Sequence, residues 1–189
     1  MDAEHLKKVL IESAINVVYE KGLVGATTRA ICEKACCNEV YIYRLFGGKE
    51  GLFKSAFTLL DKEIANCISY QLRKIDGKDA KQMFNKFFYG LWNFLIERKE
   101  RCFFLIRYYH STFFEDYSPQ DRMVTYEKTN EKLKLFFKDD MDLWWTINQV
   151  YDLIFNNLGR IIKGDEKEER VRDRLRDLIY YNLQPYLKG

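Results

Sequence analysis

Apolar residues recur at intervals of three and four along almost the whole chain, and this spacing restricts the fold more than any other feature. Leu6, Leu10 and Ala14 begin the pattern, which continues in the long segments between glycines. Such spacing places apolar side chains on one face of an α-helix. Prolines are rare, and no segment shows the two-residue alternation of a strand. The sequence therefore predicts an all-α fold of about nine helices.

Glycines and capping residues divide this pattern into segments. Gly22 ends the first helix, Gly47 the third and Gly164 the eighth, because glycine adopts the backbone conformation that follows a helix. Ser118 before Pro119 is a strong start signal. The predicted helices span about residues 6–22, 27–34, 38–46, 52–74, 79–98, 100–114, 119–138, 139–163 and 165–186. The turn at 76–78 is the clearest break after the long fourth helix.

Charge does not by itself indicate a partner for the chain. The formal net charge is +3, and the first 53 residues hold seven Lys and Arg against seven Asp and Glu. The start of the chain has no signal-peptide pattern, and the longest uncharged apolar run, residues 87–96, is half a membrane span. We therefore expect no membrane association and a cytoplasmic location.

Five cysteines are an odd number, so a disulfide framework is not expected. Cys32, Cys36 and Cys37 lie close together, but no second Cys or His pair follows at zinc-ligand spacing. We predict no metal and no cofactor. The adjacent Cys36 and Cys37 leave open a thiol-based redox response, in which oxidation deforms the local backbone.

Residues 27–53 carry the most specific motif of the chain. Two short helices joined by a tight turn follow a longer amphipathic helix, which is the arrangement of a helix-turn-helix unit. The Thr27-Thr28 pair, the segment from Ile42 to Phe46, and Lys49 to Phe53 resemble the signature of TetR-family transcriptional regulators over about Leu10 to Phe53. The resemblance implies a helix-turn-helix DNA-binding domain at 1–53 and a helical effector-binding and dimerisation domain at 54–189, joined by a long helix.

The resemblance also implies the residues that contact operator DNA. Asn38 caps the recognition helix, Arg44, Tyr41 and Glu39 are candidates to read base edges, and the others position the backbone. The predicted DNA-binding residues are Thr28, Asn38, Glu39, Tyr41, Tyr43, Arg44 and Lys49.

Three positions depart from the family pattern. Cys36 stands where the family has glycine in the turn, and a left-handed conformation costs a non-glycine residue about 1 to 2 kcal/mol. Ala30 replaces an acidic residue of a capping box. Glu39 replaces a common lysine, and its charge repels phosphate while suiting a cytosine amine. These departures affect the operator sequence more than binding itself.

The apolar pattern of the last two long helices predicts a dimer. The segment 139–163 is apolar on two faces. One face can pack within the monomer, and the simplest way to bury the other is against a partner subunit. The resemblance implies the same pairing, as a four-helix bundle across a two-fold axis. The predicted interface residues are Ile147, Ile154, Leu158, Leu175, Leu178 and Leu183.

Aromatic clusters on the segments 84–94 and 103–108, with polar residues among them, predict a site for a small, mostly apolar or aromatic effector. Core packing is the alternative role for most of the aromatic residues. The predicted ligand-binding residues are Trp92, Phe103, Phe104, Arg107, Tyr108, His110, Trp144, Asn148 and Tyr151.

These features favour a ligand-responsive regulator, acting as a repressor, in which effector binding shifts the helix beginning at Leu52. An enzyme is not expected, because the sequence has no nucleophile elbow, phosphate-binding glycine loop or metal-ligand pattern. The alternatives are a helical protein-interaction module with a helix-turn-helix that does not bind DNA, and the redox-responsive regulator.

Overall fold

The computed structural model describes residues 2–75, 79–114 and 119–188, with the backbone alone for 119–124. Over these ranges the chain is all-α, as predicted, and the β-type pairing within them is one antiparallel bridge between Phe137 and Leu187. The helices are α1 (Ala3–Gly25), α2 (Thr28–Ala35), α3 (Val40–Phe46), α4 (Lys49–Arg73), α5 (Ala80–Ile96), α6 (Lys99–Tyr109), α7 (Pro119–Leu133), α8 (Leu143–Ile162) and α9 (Glu168–Leu183). Short 3₁₀ turns span Thr112–Phe114 and Gln184–Tyr186.

Most predicted helix limits lie close to those of the structure, and the largest differences are at the ends of α6 and α7 and the start of α8. Helix α6 ends at Tyr109 rather than near residue 114. Helix α7 ends at Leu133 rather than near residue 138, and α8 begins at Leu143. The Asp142 carboxylate caps α8 by accepting from the backbone amide of Trp145 at 2.9 Å. The residues between the two helices form turns and the bridge to the end of the chain. The predicted turn at 76–78 and the Ser118 cap lie outside the described residues.

The chain divides into two compact units. The first comprises Met1–Lys62 and Glu100–Asp121, and the second Glu63–Lys99 and Arg122–Gly189. The predicted division at residue 53 stays a prediction. Helix α4 contributes residues to both units.

An aromatic cluster forms the core of the first unit beside the buried face of α1. Phe53 lies edge-on to Phe104 with ring centroids 5.7 Å apart, and Phe57 contacts Tyr108 at 4.9 Å. All four side chains are buried, as is Leu10 of α1. Aromatic rings of this size supply much of the apolar area that a small unit can bury. They join α4 to α6, which are distant in sequence.

Gly51 is required where α4 leaves α3. A Cβ atom at this position would lie 1.8 Å from the carbonyl oxygen of Phe46. No side chain fits that space, so only glycine allows the start of α4 to approach the end of α3 this closely. Gly51 of the Lys-Glu-Gly motif at 49–51 therefore sets the direction in which the chain leaves α3 and begins α4.

In the second unit, polar contacts join α5 to α9 above an apolar core. The Tyr89 hydroxyl donates to Asp173 at 3.0 Å, and the Trp92 indole N–H donates to Glu168 at 3.0 Å. Leu158 of α8 is fully buried in this unit. The Tyr89 and Trp92 donors therefore both have acceptors, which offsets the cost of taking them out of water. None of the described helices has the length and apolar character needed to cross a bilayer.

Candidate nucleic-acid interface and apolar cavity

The turn between α2 and α3 has the geometry of a helix-turn-helix. The Thr27 hydroxyl caps α2 by accepting from Ala30 N at 3.1 Å. Cys36 then adopts a left-handed conformation with φ 51° and ψ 44°, and its amide donates to carbonyls at the end of α2. The Asn38 side chain accepts from Val40 N at 2.9 Å, at the start of α3. The cysteine therefore holds the conformation that the family gives to glycine, at the cost expected for a residue with a Cβ.

One face of α3 is buried and the other is open. Ile42 is fully buried and anchors the helix. Val40, Tyr41 and Tyr43 are 63%, 38% and 60% exposed, and Arg44 is exposed as well. Exposed apolar and aromatic side chains that lie together on one helix mark an interaction surface, and the arrangement suits insertion into a groove.

Val40 was not among the predicted contact residues, although its spacing could have indicated it. It lies three and four positions before Tyr43 and Arg44, and residues at this spacing share a helix face. An exposed valine methyl in a major groove matches the C5-methyl group of thymine.

Thr28 and Glu39, both predicted to contact DNA, are bonded to each other. The Thr28 hydroxyl donates to the Glu39 carboxylate at 2.5 Å, joining the start of α2 to the residue before α3. While this bond lasts, the hydroxyl proton of Thr28 is not available to a phosphate, which can only accept. The pair thus holds the carboxylate in place between two helices.

Lys49 is held against two aromatic rings at the start of α4. Its ammonium nitrogen lies 5.3 Å from the ring centroid of Phe53 and 5.7 Å from that of Phe113. These are cation–π distances, and the side chain is half-buried. Its position therefore depends on a phenylalanine far along the chain, which the local motif does not reveal.

The three clustered cysteines differ in environment. Cys32 is buried, Cys37 is half-buried and Cys36 is exposed. Burial, together with a hydrogen bond to Cys37 and the charges of Cys37 and Glu39, raises the pKa of the Cys32 thiol to about 12. At neutral pH this thiol is protonated and a poor nucleophile. Among the described residues, no three His, Cys, Asp or Glu side chains are placed to hold a metal ion.

The second unit encloses an apolar cavity of about 330 Å³. Of the predicted ligand-binding residues, the cavity brings together Trp144, Asn148 and Tyr151 on α8. The volume is at the lower end of the range for small-molecule sites, and the lining is mostly hydrocarbon and aromatic, as such sites require.

The other predicted ligand-binding residues do not line this cavity. Trp92 is buried in the second unit, where its indole N–H is bonded to Glu168. Five others lie on α6 or just after it and belong to the first unit: Phe103, Phe104, Arg107, Tyr108 and His110. Of these, Phe104 and Tyr108 are core residues. Arg107 and His110 are exposed.

Two groups of lining residues were missed at the sequence level. Ile64, Ile68 and Leu72 of α4 line the cavity, and their four-residue spacing was a visible signal. Phe137 and Lys188 line it from the bridged segments near residues 137 and 187. No local pattern in the sequence indicates that those two segments pair.

Most of the predicted dimer-interface residues are covered within the second unit. Ile154, Leu158, Leu175 and Leu183 are all at most 9% exposed, and Ile147 lines the cavity. Packing of α8 and α9 within the chain therefore supplies the cover that we expected from a partner. Leu178 is 49% exposed, and it is accompanied on these two helices by Trp145 and Tyr181, at 62% and 60%.

Comparison with known proteins agrees with this geometry. The family described as bacterial regulatory proteins of the tetR family matches residues 10–56, which include α2, the turn and α3. Over this segment the chain is similar to the tetR family. The family match ends within α4, and beyond it the likeness is one of fold.

Solved structures extend the likeness to the whole chain. TetR-family regulators from Marinobacter aquaeolei, Shewanella and Mesorhizobium loti each superpose with a TM-score of 0.72, at 12%, 14% and 12% identity. The superpositions cover 98%, 97% and 100% of this chain and 97%, 99% and 100% of the others. At such identities they show the fold alone. The sequence matches no curated protein at a significant level.

Proposed function

We propose that this protein is a TetR-family transcriptional repressor that binds operator DNA through α3 and releases it when an apolar ligand occupies the cavity of the second unit. The observation that carries the proposal is the open face of α3. Val40, Tyr43 and Arg44 project from a helix that the buried Ile42 anchors. This gives one rigid element with arginine, tyrosine and an apolar contact available for base edges and phosphates.

The contacts divide by chemistry. Arg44 is the candidate for bidentate contact with guanine and Tyr41 for contact with a base edge, and Tyr43 is the candidate for a positioning contact to the backbone. Lys49 provides a phosphate contact from a position that Phe53 and Phe113 restrict. Asn38 acts through the local fold, since its side chain is already bonded to Val40 N.

A dimer would supply two recognition helices about 34 Å apart, for two half-sites of one duplex. Support for it is the exposed apolar group Trp145, Leu178 and Tyr181 on α8 and α9. Aromatic side chains of this kind are enriched at protein interfaces.

Helix α4 is the proposed connection between ligand and DNA. Its residues Ile64, Ile68 and Leu72 line the cavity, whereas its first residue, Lys49, is a proposed phosphate contact. A ligand that moves this helix changes both ends of it. Coupling of about 1 to 3 kcal/mol is enough to release an operator. Such a regulator acts where the DNA is, in the cytoplasm.

Selection of bound sequences from random duplexes, followed by salt titration, tests the DNA-binding function. We expect a near-palindromic sequence to be enriched and its association constant to fall steeply with salt, through counterion release. Absence of both enrichment and salt dependence would favour the alternative of a protein-interaction module.

A further inference from the structure

We propose that the ligand of the cavity is a single-chain amphiphile whose apolar chain fills the interior and whose anionic head group pairs with Lys188 at the rim. This inference rests on the proposed function, because it assumes that the cavity is the effector site. It adds the chemical class of the effector and a residue that recognises it.

Two polar residues of α8 on the cavity wall, Thr146 and Asn148, have donors bonded within the helix. The Thr146 hydroxyl donates to Asp142 O at 2.8 Å, and the Asn148 amide donates to Trp144 O at 2.8 Å. Such bonds to carbonyls one turn back compete with contacts to a ligand. Because most of the other lining residues are aliphatic or aromatic, the interior suits a hydrocarbon chain.

Lys188 is the one charged residue among the described residues that line the cavity. Its side chain is 44% exposed, so the cavity reaches solvent beside it. Because Lys188 is partly exposed and most of the other lining residues are apolar, the charge distribution matches a molecule with an anionic head and an apolar tail.

The present partners of the Lys188 ammonium are exchangeable. It lies 3.1 Å from Asp139 Oδ1 and 3.3 Å from Lys134 O. The Asp139 side chain is 96% exposed, and an ion pair so open to water contributes at most about 1 kcal/mol. A head group held in place by its buried chain competes well with such a partner.

Backbone pairing fixes Lys188 at the rim. Its amide donates to Phe136 O at 2.9 Å, and the amide of Lys138 donates to Tyr186 O at 2.8 Å. Lys138 adds a second cation to the same pairing, with its ammonium bonded to Pro185 O at 2.8 Å. The acidic groups of the segment, Asp139 and Asp140, do not line the cavity.

The volume restricts the length of the chain. A cavity of 330 Å³ corresponds to roughly 11 water molecules at liquid density. A chain methylene occupies roughly the volume of a water molecule, so roughly 11 chain carbons fill the space, and the head-group end of a 14-carbon acid extends to the rim. Tetradecanoate is therefore a suitable probe, and its methyl ester is a neutral molecule with the same chain.

The test measures displacement of the neutral dye N-phenylnaphthylamine from the intact protein by tetradecanoate and by methyl tetradecanoate. The quantity of interest is the ratio of their affinities, because it cancels the contribution of the chain. In Lys188→Met this ratio should fall about fivefold relative to the native protein. Lys188→Arg should retain it, and so should Lys163→Met, which removes an exposed lysine outside the cavity.

Two results would overturn the inference and are distinguishable from each other. If the dye and both ligands bind but the ratio is the same in Lys188→Met, the cavity is an apolar site without recognition of an anion, and the proposed effector function stands. If neither the dye nor either ligand binds to the native protein, the effector function of the cavity fails and the inference fails with it.

Discussion

The open face of α3 and the cavity of the second unit present opposite solutions to ligand recognition. On α3, neighbours in sequence such as Tyr43 and Arg44 are exposed together on one short helix. The cavity instead assembles residues as distant as Ile64 and Lys188 and hides most of them from water. Local backbone geometry thus determines the first site, whereas packing between distant segments determines the second. Substitutions at each site should therefore show whether it depends on local backbone geometry or on packing between distant segments.

The largest effect should come from Gly51→Ala, which tests whether the close approach of α4 to the end of α3 requires glycine. The new Cβ would lie 1.8 Å from Phe46 O, so the backbone must move. We expect the free energy of unfolding to fall by about 3 kcal/mol in urea titrations. The neighbouring Glu50→Ala, at an exposed position, is the control. Equal stability of the two variants would contradict this account of the α3–α4 junction.

Arg44→Ala tests whether recognition depends on the α3 face alone. Loss of a base contact by the exposed guanidinium should weaken binding of the selected operator by about 10- to 100-fold, measured by fluorescence anisotropy. Arg73→Ala removes an exposed arginine from the other end of α4 and should leave the affinity close to native. Similar losses in both variants would mean that binding reflects general charge rather than α3.

Leu178→Lys tests the proposed dimer surface on the second unit. Leu178 is exposed, so a charge there is tolerated by the monomer but disfavoured in an apolar interface. Sedimentation velocity should show dimerisation weakened about tenfold. Glu169→Lys, at an exposed position near the start of α9, serves as the control. An unchanged dimer in Leu178→Lys would place the interface elsewhere.

Cys36→Gly should raise stability, because it relieves the left-handed conformation at φ 51°. We expect the free energy of unfolding to rise by about 1 kcal/mol. Cys36→Ala removes the thiol but keeps the Cβ, so it should give no such increase. If alanine stabilises as much as glycine, the thiol rather than the backbone is the source of the effect.

The smallest effect should come from Asp173, at the α5–α9 contact. A hydrogen bond from Arg172, and a second from Tyr89, lower the pKa of its carboxyl. A lowered folded pKa contributes stability that is present above the unfolded pKa, near 4, and lost as pH falls through the folded value. The stability difference between the native protein and Asp173→Asn should therefore shrink below about pH 4 in denaturant titrations. A difference that is constant with pH would contradict this assignment.

Sequence reasoning succeeded where structure depends on neighbours along the chain. The helical repeat predicted the fold class, and the TetR-family motif predicted a turn in which Cys36 is left-handed. The same motif could not show that Thr28 and Glu39 bond to each other, since their side chains meet only once the crossing of α2 and α3 is fixed.

The cavity was less predictable, because aromatic richness does not distinguish a core from a site. Phe104 and Tyr108 are predicted ligand-binding residues, yet they pack against Phe53 and Phe57 in the first unit. Lys188 carried no local signal, because its place depends on pairing with a segment about fifty residues earlier. Long-range pairing of this kind is set by the global packing of the chain, which periodicity does not encode.

The most direct test of the account is the affinity of the selected operator with and without tetradecanoate at saturating concentration. If α4 couples the cavity to the recognition helix, ligand should weaken DNA binding about 5- to 150-fold. Equal affinities, in a protein shown by dye displacement to hold the ligand, would contradict the coupling on which the proposed regulation depends.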